Sequence, residues 1–265
     1  MTLQKPMATT KISKASNGQV RATLPRALVN ALDFSDRQDH YAHFEVECAG
    51  DDEIAYVVTI GPDVDESLTN SLSPNIRSTG QVVLSLPAFQ TEAWNLVDTH
   101  IEWPDADELV IEDDGTVEIH AGIVEWEPHH AVDSVFSGSG FKRSPINETG
   151  TDQTTVITYF PQKPANVVGL AEPKARAEIS FDCVDGRVVI VATPTDKPRS
   201  ELRNSVTVSM RGPNHNQPQF SAKQLASELG VVGQLEDRSV RLNWFERGAR
   251  QLVGFVDESG GGQNE

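Results

Sequence analysis

Residues 10–38, TKISKASNGQVRATLPRALVNALDFSDRQ, carry the strongest signals of local structure in this chain. Alternating residues lead to Asn17-Gly18, a pair typical of a tight hairpin turn. Pro25 suits the start of a helix, where its missing N–H would have no intrahelical partner. From this stretch onward we predict a strand from Thr10, a strand Val20–Leu24, a helix Arg26–Leu32, and two strands around an acidic turn, Phe44–Val46 and Ile54–Ile60.

This order of elements recurs three times along the chain. Gly80-Gln81-Val82 and Leu86-Pro87 repeat Gly18-Gln19-Val20 and Leu24-Pro25 at the same internal spacing. The third and fourth copies share the order of elements but few identical residues. Self-similarity of this kind indicates a repeat architecture. The recurring segments are 78–96 with 107–122, 154–170 with 177–193, and 219–232 with 239–256.

Length and hydropathy bound the class of protein. A chain of 265 residues can bury a substantial core. No run approaches eighteen apolar residues, so we expect no membrane partner. The N-terminus lacks an apolar signal core, and we expect a cytoplasmic protein. Two cysteines are too few for a zinc cage, and we expect no metal and no cofactor.

Charge is distributed very unevenly along the chain, whose formal net charge is −17. Residues 1–26 carry five basic and no acidic residues, residues 27–140 carry two basic against 24 acidic ones, and residues 141–265 carry 15 of each. Acidic residues scattered through the turns indicate a halophilic source organism, because hydrated carboxylates keep a protein soluble at high salt concentration. The rival interpretation is an acidic face that mimics nucleic acid or binds a basic partner.

Segment 10–60 resembles the swapped-hairpin domain of AbrB/SpoVT-type transcription regulators and related antitoxins. The pattern is Lys11-x-Ser13-Lys14, Gly18-Gln19-Val20 and Leu24-Pro25, then an amphipathic turn that ends at Leu32 and a closing hairpin. In that family two copies interleave their hairpins into one barrel-like dimer. The resemblance implies a β-rich α+β fold of four tandem swapped-hairpin repeats, which form two intramolecular pseudo-dimeric barrels.

The repeats predict the domain boundaries. Repeats 1 and 2 would pair in one barrel, and repeats 3 and 4 in the other. The predicted segments are repeat 1 at 9–61, repeat 2 at 75–124, a linker at 125–150, repeat 3 at 151–193, repeat 4 at 203–256, and a disordered tail at 257–265.

The resemblance also implies a DNA-binding site. Regulators of this family present basic side chains from the first strand, the loop after it and the start of the second strand. Lys and Arg on a protruding loop can reach phosphates, while Arg and Asn can also read base edges. The implied site residues are Lys11, Lys14, Asn17, Arg21 and Arg26, with Arg77, Arg203, Arg211 and Lys223 as secondary candidates.

We therefore expect a DNA-binding transcriptional regulator or antitoxin-like repressor that is not an enzyme. The partners considered are double-stranded DNA, a second copy of the chain in a homodimer, and a protein such as a toxin. The alternative function is a protein-binding adaptor or scaffold of the same repeats that has lost DNA binding. Catalysis is disfavoured because no Ser-His-Asp or Cys-His arrangement is evident, and His129-His130 lie in the expected linker.

Overall fold

A computed structural model describes most of the chain and divides it into two compact units. The first unit comprises residues 1–91 and 95–127, and the second comprises residues 92–94 and 128–265. The described residues are 8–34, 40–50, 53–62, 64, 69–129, 142–149, 155–212, 214, 216–235, 240–248 and 250–257.

The first unit contains an antiparallel sheet of six strands in the order β1-β9-β10-β5-β4-β6. Its long central strands alternate buried and exposed residues, as expected of a sheet with one face on a core. The six strands are β1 (Ala8–Lys11), β4 (Tyr41–Gly50), β5 (Glu53–Gly61), β6 (Ser71–Leu72), β9 (His100–Trp103) and β10 (Val117–Val124).

A second sheet of the first unit has four strands in the order β2-β3-β8-β7. These strands are β2 (Ser13–Lys14), β3 (Val20–Thr23), β7 (Asn75–Ile76) and β8 (Val82–Leu86). Helix α1 (Arg26–Leu32) follows β3, helix α2 (Ala88–Ala93) follows β8, and a short 3₁₀ turn lies at Ala106–Glu108. Each of the two helices comes after a proline, Pro25 or Pro87, whose carbonyl accepts the first helical hydrogen bond.

Buried polar side chains tie the core of the first unit together. The Tyr56 hydroxyl donates to Gln90 Oε1 at 2.6 Å, and Gln90 Nε2 donates to the Phe44 carbonyl at 3.0 Å. The rings of Phe44 and Tyr56 stack with centroids 5.7 Å apart. The Trp103 indole N–H donates to Thr10 Oγ1 at 2.6 Å, which joins β9 to β1.

The second unit contains one antiparallel sheet of nine strands in the order β15-β13-β14-β19-β18-β11-β12-β17-β16. The strands are β11 (Lys142–Thr149), β12 (Thr155–Tyr159), β13 (Arg176–Val184), β14 (Arg187–Pro194), β15 (Ser205–Thr207), β16 (Ser209–Arg211), β17 (Gln217–Ser221), β18 (Val240–Arg247) and β19 (Gln251–Val256). Its helices are α3 (Gln162–Val168), α4 (Lys223–Glu228) and α5 (Val232–Leu235).

Aromatic side chains form part of the core of the second unit. Phe160 and Phe220 stack with ring centroids 4.4 Å apart, and the Trp244 ring meets Phe160 edge-on at 5.3 Å. The Trp244 indole N–H donates to Ser144 Oγ at 2.8 Å, which joins β18 to β11. Gly254 lies directly opposite Trp244 in the β18–β19 ladder and leaves room for the indole.

The prediction of four tandem swapped-hairpin repeats in two pseudo-dimeric barrels is wrong. The chain is strand-rich, but the described strands form sheets of six, four and nine strands, so the first unit uses two sheets and the second uses one. The physical reason is that an alternating pattern identifies a buried face of a strand without identifying its neighbour.

The predicted linker is partly described by the structure, and the predicted tail is almost wholly outside the described residues. Strand β11 lies inside the stretch 125–150 that the sequence predicts to be a linker. Residues 142–146 of β11 pair with β18 and residues 147–149 pair with β12, so β11 lies inside the nine-stranded sheet. Residues 258–265 of the predicted tail lie outside the described residues.

Candidate nucleic-acid interface

The four-stranded sheet is made of two hairpins with equivalent backbones. Equivalent residues are 62 positions apart, as Val20 and Val82 are. The central strands β3 and β8 pair antiparallel, with Ala22 opposite Leu84 at the centre. The outer pairs repeat after the same interval: Ser13–Arg21 matches Asn75–Val83, and Lys14–Val20 matches Ile76–Val82.

The two hairpin turns also match each other. In the first turn (residues 15–18), Ala15 N–H donates to the Gln19 carbonyl at 2.8 Å. In the second turn (residues 77–80), Arg77 N–H donates to the Gln81 carbonyl at 2.9 Å. Gly18 and Gly80 close the turns at φ of 79° and 75°, a left-handed conformation that glycine adopts without strain. Because β3 and β8 run antiparallel, the two turns lie at opposite ends of the sheet.

A glutamine holds an arginine beside each turn. Arg21 Nη2 donates to Gln19 Oε1 at 2.5 Å, and Arg77 Nη1 donates to Gln81 Oε1 at 3.1 Å. In the first turn the Gln19 backbone N–H also donates to Asn17 Oδ1 at 3.1 Å. Asn17, Arg21 and Arg77 were predicted from the sequence as site residues, whereas the two glutamines that orient them were not. The repeated Gly-Gln-Val triplet was the available signal.

The remaining primary candidates differ in their surroundings. Lys11 Nζ lies 2.7 Å from Asp98 Oδ1 in an exposed ion pair, so part of its charge is already compensated. Lys14 is exposed on the edge strand β2, and Arg26 is exposed as the first residue of α1. The structure therefore brings Lys14, Asn17 and Arg21 together around the first turn, while Arg26 lies beyond the other end of β3.

The four-stranded sheet carries no acidic residue. The two stretches that build it, residues 8–32 and 69–91, contain five basic residues and no Asp or Glu. The basic residues are Lys11, Lys14, Arg21, Arg26 and Arg77. In a chain with a formal net charge of −17, the absence of carboxylates leaves this sheet with a net positive charge. Only the first stretch stands out as acid-free and basic along the sequence, because the second joins it through the pairing of β3 with β8.

Three secondary candidates lie in the second unit. Arg203 precedes β15, and its backbone N–H donates to Glu92 Oε2 at 2.7 Å. Arg211 ends β16 and Lys223 begins α4, and both are exposed. These side chains are spread over separate elements of their unit.

A Ser–His–Glu network in the first unit was missed by the sequence analysis. His43 Nδ1 lies 2.9 Å from Ser71 Oγ, and His43 Nε2 lies 3.3 Å from Glu45 Oε1. The hydrogen bond from His43 lowers the pKa of the Glu45 carboxyl, against the opposing effect of partial burial. Ser71 is only 7% exposed, so the network joins β4 to β6 without presenting the serine hydroxyl to solvent. No local pattern reveals this network, because His43 and Ser71 are 28 positions apart.

Neither a metal centre nor a membrane span is found in the described part of the chain. No group of three or more His, Cys, Asp or Glu side chains there is arranged to hold a metal ion. None of its helices is long and apolar enough to cross a membrane.

Comparison of this chain with models of protein families, with curated proteins and with solved structures found no match. The resemblance of residues 10–60 to AbrB/SpoVT-type regulators therefore stays a prediction.

Proposed function

We propose that this protein is a transcriptional regulator or antitoxin-like repressor that binds double-stranded DNA through its four-stranded sheet. The observation that carries the proposal is the charge of that sheet and its two turns, which contain Lys14, Arg21 and Arg77 and no Asp or Glu in a strongly acidic chain. The binding surface, called here the basic sheet surface, consists of both turns (15–18 and 77–80) with Lys14 and Arg21.

The chemistry of these side chains suits nucleic acid. Lys14 and Arg77 are exposed cations that can approach phosphates, which fix the position of a protein on a duplex. The Asn17 amide carries a donor and an acceptor, and the Arg21 guanidinium carries paired donors, which can read base edges in the major groove. Gln19 restrains both through hydrogen bonds, so less side-chain entropy is lost when they bind.

The spacing of the turns suits a duplex as well. About nine residues of extended chain separate their tips, which corresponds to about 25–30 Å at a rise of about 3.3 Å per residue. Successive major grooves on one face of DNA lie about 34 Å apart. The two turns can therefore approach neighbouring grooves on one face of the helix.

High salt limits how much the cations alone can contribute. Counterion release drives phosphate contacts and fades as ionic strength rises. At about 1 M salt the Debye length is about 3 Å, so long-range attraction by a few cations is largely screened. In a salt-loving cell, specific binding would depend on the hydrogen bonds of Asn17 and Arg21.

The proposal is tested by fluorescence anisotropy with the full chain and DNA from upstream of its own gene, from about 0.2 M to about 3 M KCl. A Lys14→Ala/Arg21→Ala variant should lose specific binding and remain folded by circular dichroism. The matched control is Lys163→Ala/Arg199→Ala, which removes the same two charges from exposed sites of the second unit and should bind like the wild type. Equal binding by all three proteins, or equal affinity for scrambled DNA, would reject the proposal.

A protein-binding adaptor is the second candidate function. It is favoured by two exposed apolar side chains in an acidic segment: Val110 is 69% exposed and Ile111 is 44% exposed, between Asp107 and Asp114. A basic partner with an apolar centre would complement this segment. Loss of partner capture in Val110→Ser/Ile111→Ser, with DNA binding absent in the wild type, would favour the adaptor over the regulator.

A further inference from the structure

The two hairpins of the basic sheet surface have matching backbones, but their polar and charged side chains are distributed unequally. Each residue of the first hairpin has its equivalent 62 positions later, with matching strand pairs and matching turn hydrogen bonds. The side chains at equivalent positions differ. Lys14 corresponds to Ile76, Asn17 to Thr79 and Arg21 to Val83, while Arg77 takes the place of Ala15.

The two ends of the surface consequently offer different contacts. Around the first turn lie the ammonium group of Lys14, the amide of Asn17 and the guanidinium of Arg21. The second has one guanidinium, that of Arg77, held by Gln81. Val83 is only 4% exposed and its side chain has no hydrogen-bond donor, so the position equivalent to Arg21 offers no polar contact at the second end. An element contacted by both ends would therefore receive an ammonium, an amide and a guanidinium at one half and a single guanidinium at the other.

We propose that a single chain recognises a directional DNA element, one without two-fold symmetry. The first turn reads the bases of one half, and the second turn holds the other half through phosphate contact by Arg77. This inference rests on the proposed DNA-binding function. It differs from the pattern of a symmetric dimer, in which two equal half-sites mirror the symmetry of the protein.

The element itself provides the first test. The full chain is used to select duplexes from a random library, and every base pair of the selected element is then substituted in turn. We expect positions at which substitution weakens binding about tenfold or more to cluster in one half, with one chain per element by analytical ultracentrifugation. An inverted repeat with equal sensitivity in both halves, or two chains per element, would overturn directionality while leaving DNA binding established. Selection of no element, with no binding in anisotropy, would reject the DNA-binding function and this inference with it.

Exchanging equivalent residues between the two hairpins provides a matched pair of variants. Lys14→Ile/Asn17→Thr gives the first turn the residues of the second and should weaken binding about tenfold or more. Ile76→Lys/Thr79→Asn gives the second turn the residues of the first, at positions that are exposed. This second variant should gain affinity for an inverted repeat of the sensitive half-site. If both variants bind the selected element like the wild type, the two ends do not differ and the proposal is wrong.

Discussion

His43 links two strands through a hydrogen-bond chain that depends on the charge of Glu45. Its ring contacts Ser71 on β6 and Glu45 on β4. Because this hydrogen bond lowers the pKa of Glu45, folding favours the ionised carboxylate. A lowered pKa stabilises the folded state above the ordinary value of 4.5, and the contribution is lost as pH falls through the lowered pKa.

Glu45→Gln should therefore reduce stability near neutral pH and have little effect in acid. We expect the difference in unfolding midpoint between wild type and variant to be fully present above pH 4.5 and to be lost as the pH falls through the lowered pKa of Glu45. Urea denaturation across this pH range measures it. Glu47→Gln on the same strand provides the control, since Glu47 is exposed. A difference that stays constant with pH would show that the amide acts through packing.

Glycine is required at position 254 because the backbone there lies close to the Trp244 indole. A Cβ at this position would lie 2.7 Å from Cε3 and Cζ3 of the indole. The indole cannot easily withdraw because it is fully buried and hydrogen-bonded to Ser144.

Gly254→Ala should therefore destabilise the second unit by about 1–3 kcal/mol through overpacking. Tryptophan fluorescence during urea denaturation reports the loss. Gly233→Ala is the control, because nothing lies within 4 Å of the added carbon and alanine favours the helix that contains it. Equal stability of Gly254→Ala and the wild type would mean that the indole moves aside.

At the scale of elements, Gln90 fastens helix α2 to the six-stranded sheet. Its amide accepts from Tyr56 on β5 and donates to the Phe44 carbonyl on β4, and the side chain is fully buried. A buried polar group that loses its partner pays the desolvation penalty of about 1–3 kcal/mol.

Gln90→Leu should accordingly destabilise the first unit more than Tyr56→Phe does. The first change deprives two buried groups of their partner, whereas the second leaves the bond from Gln90 to Phe44 in place. In a double-mutant cycle, the combined variant should lose less than the sum of the two single losses. Strict additivity would show that the two side chains act independently.

The short elements around the turns were largely readable from local sequence. The predicted helix Arg26–Leu32 is confirmed as α1, and the predicted strand Val20–Leu24 is confirmed as β3 to within one residue. Proline, Asn-Gly and residue alternation act within a few positions, so they identify these elements without tertiary information. Strand β11 was missed because its pairing with β18 joins residues about a hundred positions apart.

At the scale of the whole molecule, the excess of carboxylates predicts a stability that rises with salt. Self-repulsion among charges of one sign opposes the compact state, and salt screens it. The midpoint of thermal unfolding should increase between about 0.2 M and about 3 M KCl. A variant with Asp107→Asn, Glu108→Gln and Asp113→Asn should show a weaker dependence. A midpoint independent of KCl would contradict salt adaptation.

The candidate site was only partly accessible from the sequence. The cations of the first turn follow from the local pattern, and a resemblance to a known family suggested their role. Side-chain geometry was needed to find the ion pair of Lys11 with Asp98. It was also needed to find the glutamines that hold Arg21 and Arg77. The Ser71–His43–Glu45 network depends on the register of β4 with β6.

By itself, the sequence determined the short-range features of this protein: its turns, its proline-led helices, its strand-rich character and its uneven charge. Each of these follows from interactions among residues that are neighbours in the chain. The grouping of the strands into sheets of six, four and nine depends on tertiary contacts, because alternation does not identify a pairing partner. The same pairing brought two acid-free stretches about sixty residues apart into one surface, which is where the proposed DNA contact lies.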